Sequence, residues 1–318
     1  MGFRDISEYW TEPAVPQTAN ANSLRSIVQA HQAWLSGGSE GVQADLTNLT
    51  MTGVNFQRVR LERAILVGTT WLESDLSEAD LSGADLSGAD LRGVSLLGAD
   101  LSSAILDNAR LDQCWLTGAN LSEARLGNTS LRGVNMERCR LLDAVLSQCD
   151  FTQAVARGAA FHQAKVFGCM FPNADLQGAI FYHTRMHLCR LHSLRAPGAN
   201  FSSARLQDCD FMQAEMEGAQ FVGAEITRSV FARAMLRACD FRNARMVGSD
   251  FCGATLGQAR FGAATLNMVD FRDADLKNAR EMTGDQLRQS RTDHTTTLPN
   301  GNPGPYMRRS GAERPLLR

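Results

Sequence analysis

From Leu46 to Leu276 a large apolar residue returns every five positions, through 47 consecutive centres without one insertion. Neither the 3.6-residue period of a helix nor the 2-residue period of a strand divides five, so the repeat cannot be one long helix or one long strand. The centres are Leu, Phe, Met, Ile or Val, with Ala156 and Ala196 undersized and Trp71 oversized. Two positions before each centre stands a small residue, usually Ala, Cys, Ser, Thr or Val, with Leu49 and Leu194 as the large exceptions. Side chains two apart share one face of an extended chain. The remaining three positions are mostly polar, and Ser-Gly pairs such as those in ADLSGADLSGADL at 79–91 suit tight turns. Each unit therefore reads as a very short strand and a corner.

The number of corners per coil follows from the second half of the chain. Every tenth residue from 151 to 271 is Phe, with Leu191 as the one substitute, and the intervening centres are never Phe. A four-sided coil of 20 residues puts the rings on two opposite sides and stacks them from coil to coil. A three-sided coil of 15 residues would stack Phe on non-Phe throughout. Tandem A(D/N)Lxx units of this kind resemble the pentapeptide-repeat proteins. The resemblance implies an all-β solenoid, a right-handed quadrilateral parallel β-helix. Its 47 units form about 12 four-sided coils, a rod of roughly 55 Å at strand-like spacing.

Domain limits follow from where the period starts and stops. Residues 1–21 read as a flexible segment in which Phe3, Tyr9 and Trp10 could clip onto the rod. Residues 22–43 hold a capping helix, with Leu24, Ile27, Val28, His31, Trp34 and Leu35 on one face, Ser23 as its N-cap and Gly37-Gly38 as its stop. His31 is expected to be a half-buried structural histidine. HQAWLSGGSEGVQADL is similar to leaders that precede the repeats in bacterial members of the family. The β-helix spans 44–280, a C-terminal cap with a short helix from Thr283 spans 281–298, and Met282 and Leu287 are placed over the last coil. The Pro- and Gly-rich basic tail, 299–318, is expected to be disordered.

Composition limits function. A net charge of −2 argues against bulk attraction to nucleic acid or anionic membrane, and no apolar run is long enough to span a bilayer. The N-terminus lacks a secretion leader, so cytoplasmic localisation is expected, with export by a specialised system as the alternative. Seven of the eight cysteines occupy the small inward position, and Cys169, Cys189 and Cys209 fall 20 apart, which predicts a buried thiol ladder. Cys252 faces outward and is the one candidate reactive thiol. No phosphate loop, metal-ligand spacing or nucleophile constellation emerges, so no enzyme activity, cofactor or metal is expected.

Charge is distributed unevenly. Residues 73–112 carry nine acids and two bases, whereas 157–205 carry six bases and one acid. The acidic belt is Asp75, Asp80, Asp85, Asp90 and Asp100. In the basic stretch the repeat is least regular, and stacking by 20 aligns His162 with Tyr182, Phe167 with His187, and Lys165 with Arg185 and Arg205. These residues, with Ile180 and His183, form a candidate partner-binding patch on two adjoining sides; a tolerant solvent face without function is the plain alternative. The favoured reading is a non-catalytic rod that binds a protein partner on its polar sides, as a monomer or an end-to-end dimer. The family resemblance also implies a DNA mimic of the quinolone-resistance type that protects DNA gyrase. Acids and bases nearly balance over 44–279, and the belt is too short to copy a DNA segment. A secreted effector is the third reading.

Overall fold

The computed structural model describes residues 17–18 and 21–315. The chain winds as a four-sided parallel β-helix in which each residue pairs with the one 20 positions on. Asp80 bridges Asp100, Asp85 bridges Ile105, Asp90 bridges Arg110 and Ser95 bridges Trp115, all in parallel, so four successive units make one coil. All centres but Phe56 are buried, as are nearly all the small residues two before them. The five-residue period is thereby explained. A centre and its small partner point inward, and three residues are left to turn the corner.

Most corners are closed by a hydrogen bond from the third residue after the centre back to the centre's carbonyl, as from Ala84 N to Leu81 O at 3.0 Å. The residue before that donor is left-handed, with φ 65° at Gly83 and φ 60° at Gln113. Glycine adopts this conformation freely and other residues at a cost, which explains the Ser-Gly pairs of the most regular stretch.

The Phe columns stack as the four-sided coil requires. Phe151 lies over Phe171 with ring centroids 4.6 Å apart, and Phe161 lies over Phe181 at the same distance. From Phe201 onward the two columns also meet edge to face across the core, as in Phe201 with Phe211 at 6.0 Å and Phe221 with Phe231 at 5.9 Å. Edge contacts of this geometry add about 0.5–1.5 kcal/mol to burial. Rings that reach the middle leave little room on the other two sides, and Ala156 and Ala196 occupy one of them.

One side departs from this scheme. Strands β4 (Arg125–Gly127), β5 (Val145–Ser147), β6 (Lys165–Phe167), β7 (Arg185–His187), β8 (Arg205–Gln207), β9 (Glu225–Thr227) and β10 (Arg245–Val247) form a seven-stranded parallel sheet in sequence order. Its corners are open, and side chains from the following coil enter the gap. Ser229 Oγ donates to Leu206 O at 3.1 Å and accepts from Cys209 N at 3.2 Å, standing between the two groups that a closed corner would join directly. Ser249 does the same for Ile226 O and Ser229 N. The expected thiol ladder, Cys169, Cys189 and Cys209, is buried, and it continues as one column through Cys149 and Thr129 on one side and Ser229 and Ser249 on the other. Its members also donate, as Cys149 Sγ does to Leu126 O at 3.0 Å, so they are more than space fillers.

The N-terminal end carries strand β1 (Gln17–Thr18), helix α1 (Ala21–Leu35), β2 (Leu49–Thr52) and β3 (Thr70–Leu72), with β1 paired in parallel to β2. Residues 17–18 were expected to be loose; instead they occupy the backbone groups of Leu49 and Thr50. Phe3, Tyr9 and Trp10 lie outside the described residues. Helix α1 begins at Ala21, ahead of the expected cap Ser23, and buries Leu24 and His31. His31 Nδ1 accepts from Ala44 N at 2.9 Å, and burial lowers its pKa, so the neutral ring that this bond requires is favoured.

The far end is covered by α2 (Gly284–Gln289), opened by a capping box of Thr283 and Gln286. The buried amide of Gln286 donates to Phe261 O and Ala264 O, both at 2.8 Å; Phe261 O already accepts from Ala264 N, and Ala264 O is the carbonyl that the last coil would leave open. Met282 and Leu287 are buried as expected. The tail is a correction. Residues 299–315 fold back over this end instead of remaining disordered: Leu298 N donates to Asn302 O, Asn300 N to Ala312 O and Gly304 N to Thr296 O. Tyr306 packs on the core and Ala312 is buried. Pro and Gly here make reversals tight enough for a few apolar residues to cover the final coil, a use of the composition that its polarity concealed.

Candidate interaction surface

The sheet presents two outward columns, one from the first and one from the third residue of each strand. Lys165, Arg185 and Arg205 are Cα partners in the first, and Phe167 and His187 in the second, with their rings 5.6 Å apart. On the adjoining side His162 and Tyr182 meet edge to face at 6.2 Å, and Tyr182 lies 4.2 Å from His183 at the corner. Ile180 stacks between Ala160 and Asn200 but is half-buried, and offers less apolar surface than the others. The patch is therefore continuous around one corner, with Ile180 at its margin.

A groove of about 610 Å³ runs across the coils where the corner column meets the first strand column. Gln163, His183 and Ser203 line one wall and Lys165, Arg185 and Arg205 the other, with Asp143 and Glu225 at the ends. Glu225 takes Arg205 at 3.4 Å. Among the described residues no carboxylate pairs with Lys165 or Arg185. Elsewhere ion pairs run within and between coils, as where Arg157 and Arg195 both reach Asp175 and Arg228 grips Asp208 with two bonds of 2.7 Å. Cations such as Arg138, Arg190 and Arg233 also stand unpaired among the described residues, but Lys165 and Arg185 do so as register partners on neighbouring strands. His187 Nε2 lies 3.4 Å from the same Asp208.

Sequence reasoning missed Leu188, which lines a shallow depression with Phe167 at the far edge of the sheet and is 50% exposed, against 45% for Phe167 and 40% for Tyr182. Leu188 has φ 55°, a conformation that favours glycine or asparagine. Its signal was a bulky apolar residue where most units place Gly or a polar residue. Asp143, Gln163, Ser203 and Glu225 were also missed, because nothing in the repeat pattern distinguishes groove ends and walls from ordinary surface.

The acidic belt has a structural occupation. Asp75, Asp80, Asp85, Asp90 and Asp100 stand just before a centre, and in each the Oδ1 accepts from the backbone N–H two residues on, at 2.8–3.3 Å. Ser82 and Ser87 add their hydroxyls to Asp80 and Asp85. Hydrogen bonds from Ser77 hold Asp75 below the usual carboxylate range, and the Arg92 guanidinium does the same for Asp90. These carboxylates fasten corners.

Chemistry is correspondingly sparse. Burial pushes the Cys114 thiol up to about 12. Cys252 is half-exposed, and its thiol is raised by desolvation and by Asp250, Asp270 and Asp273, so its thiolate is disfavoured. Among the described residues no group of His, Cys, Asp and Glu is arranged to hold a metal ion, and no helix is long and apolar enough to cross a membrane.

Comparison with known proteins agrees with the geometry. Pentapeptide repeats match at 55–93, 84–122, 95–133, 119–158, 135–171 and 227–258, and a pentapeptide repeat region matches at 164–238. The matches run without a gap from residue 55 to 258, and the chain belongs to the pentapeptide-repeat family. Among solved structures it is similar to HetL, a pentapeptide repeat protein involved in heterocyst differentiation regulation from the cyanobacterium Nostoc sp. strain PCC 7120. That match has 27% identity, covers 79% of this chain and 93% of HetL, and has a TM-score of 0.37. Full-length QnrB1, a plasmid-mediated fluoroquinolone resistance protein, matches at 15% identity over 73% of this chain and 83% of its own, TM-score 0.19. A pentapeptide repeat protein of the Arabidopsis thaliana thylakoid lumen matches at 27% identity over 36% and 68%, TM-score 0.17. No curated protein sequence matches the chain.

Proposed function

We propose that the protein is a non-catalytic scaffold that docks a protein partner on the corner between Tyr182 and Phe167. One observation carries this reading. Phe167, Tyr182 and Leu188 stand exposed beside Lys165 and Arg185, whose charges no carboxylate of the described rod meets. Exposed aromatics with arginine are the composition that interfaces favour. Exposed apolar residues such as Trp115 and Met235 also occur elsewhere on the rod; what marks this corner is that its exposed rings adjoin two unpaired cations that are register partners.

We place the DNA-mimic reading below this one. The belt carboxylates point one oxygen each into their own backbone, and Arg92 and Arg110 reach Asp90 at 2.6 and 3.6 Å, which dilutes the field a DNA-binding enzyme would read. A gyrase supercoiling assay separates the two, because inhibition of the enzyme or its protection from a quinolone would reverse the order. The docking reading is tested by capture of partners from extract on the immobilised chain. Phe167→Ser with Tyr182→Ser should abolish specific capture while leaving the thermal unfolding profile unchanged. Undiminished capture by this variant would remove the reading.

A further inference from the structure

Building on that docking reading, we propose that the groove between Asp143 and Glu225 binds a phosphoryl group, carried on a phosphorylated side chain of the docked protein. Lys165 and Arg185 are register partners on neighbouring parallel strands, which places their stems about 4.8 Å apart. No carboxylate among the described residues occupies either, while Arg205, the next in the column, is held by Glu225. His183, Ser203 and Gln163 face them from the other wall. An anion in the middle of the groove meets potential donors on both sides.

Charge and length select the ligand. A phosphoryl group carries about −1.5 to −2 charge at neutral pH and three acceptor oxygens, which matches two unpaired cations on consecutive coils. A single carboxylate brings one charge and leaves a cation unmatched. The donor-lined stretch covers three coils, roughly 10 Å between the outer two. Beyond it a longer polyanion, such as a nucleic acid strand or a run of acidic residues, meets Asp143 at one end and Glu225 at the other. With Asp143 at one end and Glu225 already taken by Arg205 at the other, neither end supplies a further free cation among the described residues, which confines the site to a compact dianion. The side chains around the groove identify its carrier. Phe167 stands two residues along β6 from Lys165, about 6.6 Å away on the same outward face, and Tyr182 adjoins His183. A free phosphate would leave both rings in water, whereas the residues flanking a phosphorylated side chain would cover them.

The test is fluorescence anisotropy on the full chain with a degenerate phosphoserine peptide pool and the same pool unphosphorylated. Inorganic phosphate, poly-glutamate and a single-stranded oligonucleotide serve as competitors. The phosphorylated pool should bind at least about tenfold more tightly. Lys165→Ala with Arg185→Ala should erase that preference without changing the thermal unfolding profile, and the milder Lys165→Gln should weaken it in part. Equal binding of the two pools, or a preference that survives the double alanine variant, would overturn the proposal. Competition by inorganic phosphate at the peptide's own concentration would overturn the protein-borne source in favour of a free anion. Equally strong competition by poly-glutamate or the oligonucleotide would overturn the compact-dianion selection. Phosphatase treatment of an extract separates this proposal from the docking reading. Capture that survives phosphatase but is lost with Phe167→Ser and Tyr182→Ser retains docking and discards the phosphoryl group. Capture indifferent to both double variants discards docking itself.

Discussion

The coils around residues 75–100 and those around 163–205 share one backbone path and differ in what they do with charge. In the first, the charged residue stands immediately before a centre, and each aspartate reaches the N–H two residues on and fastens its own corner. In the second, Lys165 and Arg185 stand at that same position before a centre, but a cation has no acceptor lone pair with which to take an N–H. Arg205 at the equivalent position is taken by Glu225 from the next coil, whereas no carboxylate among the described residues reaches Lys165 or Arg185, and their charge remains available to a partner. The two regions teach that charge density along a repeat is a poor guide to recognition until local hydrogen bonding has been subtracted. Their cores differ as well, Leu throughout in the first and ring columns in the second.

The core contrast should give the largest effect. Phe181→Ala removes a ring stacked on Phe161 at 4.6 Å and Phe201 at 4.7 Å, and should cost about 3–5 kcal/mol. Leu101→Ala, buried in the first region, should cost less within the range of about 2–5 kcal/mol typical of such changes. Denaturant midpoints combined with native-state hydrogen exchange near each site would measure both, since coils of a solenoid can open separately. Equal costs would mean that the ring columns contribute only volume.

The open corners come next. Ser229→Ala removes the hydroxyl between Leu206 O and Cys209 N and should cost about 1–3 kcal/mol, because both groups are buried. Ser229→Cys should recover part of this, as cysteines fill the same role one and two coils earlier. Loss of exchange protection confined to β8 and β9 would locate the effect.

Acid should loosen the corners at Asp75 and Asp90. Asp75 and Asp90 have pKa values lowered in the folded state, so the unfolded chain takes up protons first as pH falls. Their contribution is fully present above the ordinary aspartate value of about 4 and is lost as pH drops through the lower folded values. Asp85→Ala should remove a comparable corner bond, at about 0.5–1.5 kcal/mol near neutral pH. Exchange protection at the Asp75 and Asp90 corners that did not decline below about pH 4 would show that these bonds are matched by water.

Smallest in stability are the groove cations. Lys165→Ala and Arg185→Ala should change unfolding by no more than about 0.5 kcal/mol, since neither makes an ion pair in the described rod. A substantial loss of stability would show that these residues serve the sheet and would erase the contrast with the belt.

Much of the architecture was legible because it depends on periodicity. The spacing of Leu46 to Leu276 fixes which side chains face inward, and Phe at every tenth position requires four sides, since only then do rings stack on rings. The candidate patch was partly legible for the same reason: a 20-residue coil aligns Lys165, Arg185 and Arg205 arithmetically. Illegible were Leu188, the groove ends Asp143 and Glu225, and the folding of residues 299–315. Each depends on which corner opens, or on which apolar residue finds cover at the end of the rod.

The sequence by itself determined the coil, its sides, its register and the identity of its buried columns, because a strict period leaves one way to bury a large and a small residue in every five. Tertiary structure alone decided that one side becomes a continuous sheet. A hydroxyl or thiol stands between a carbonyl and an N–H only when the neighbouring coil supplies it, and no reading of a single unit contains that neighbour. It also decided which charges are spent. A carboxylate satisfied by the turn it closes and a cation left without a counterion look alike in sequence; they differ in the hydrogen bonds that the folded backbone offers to each.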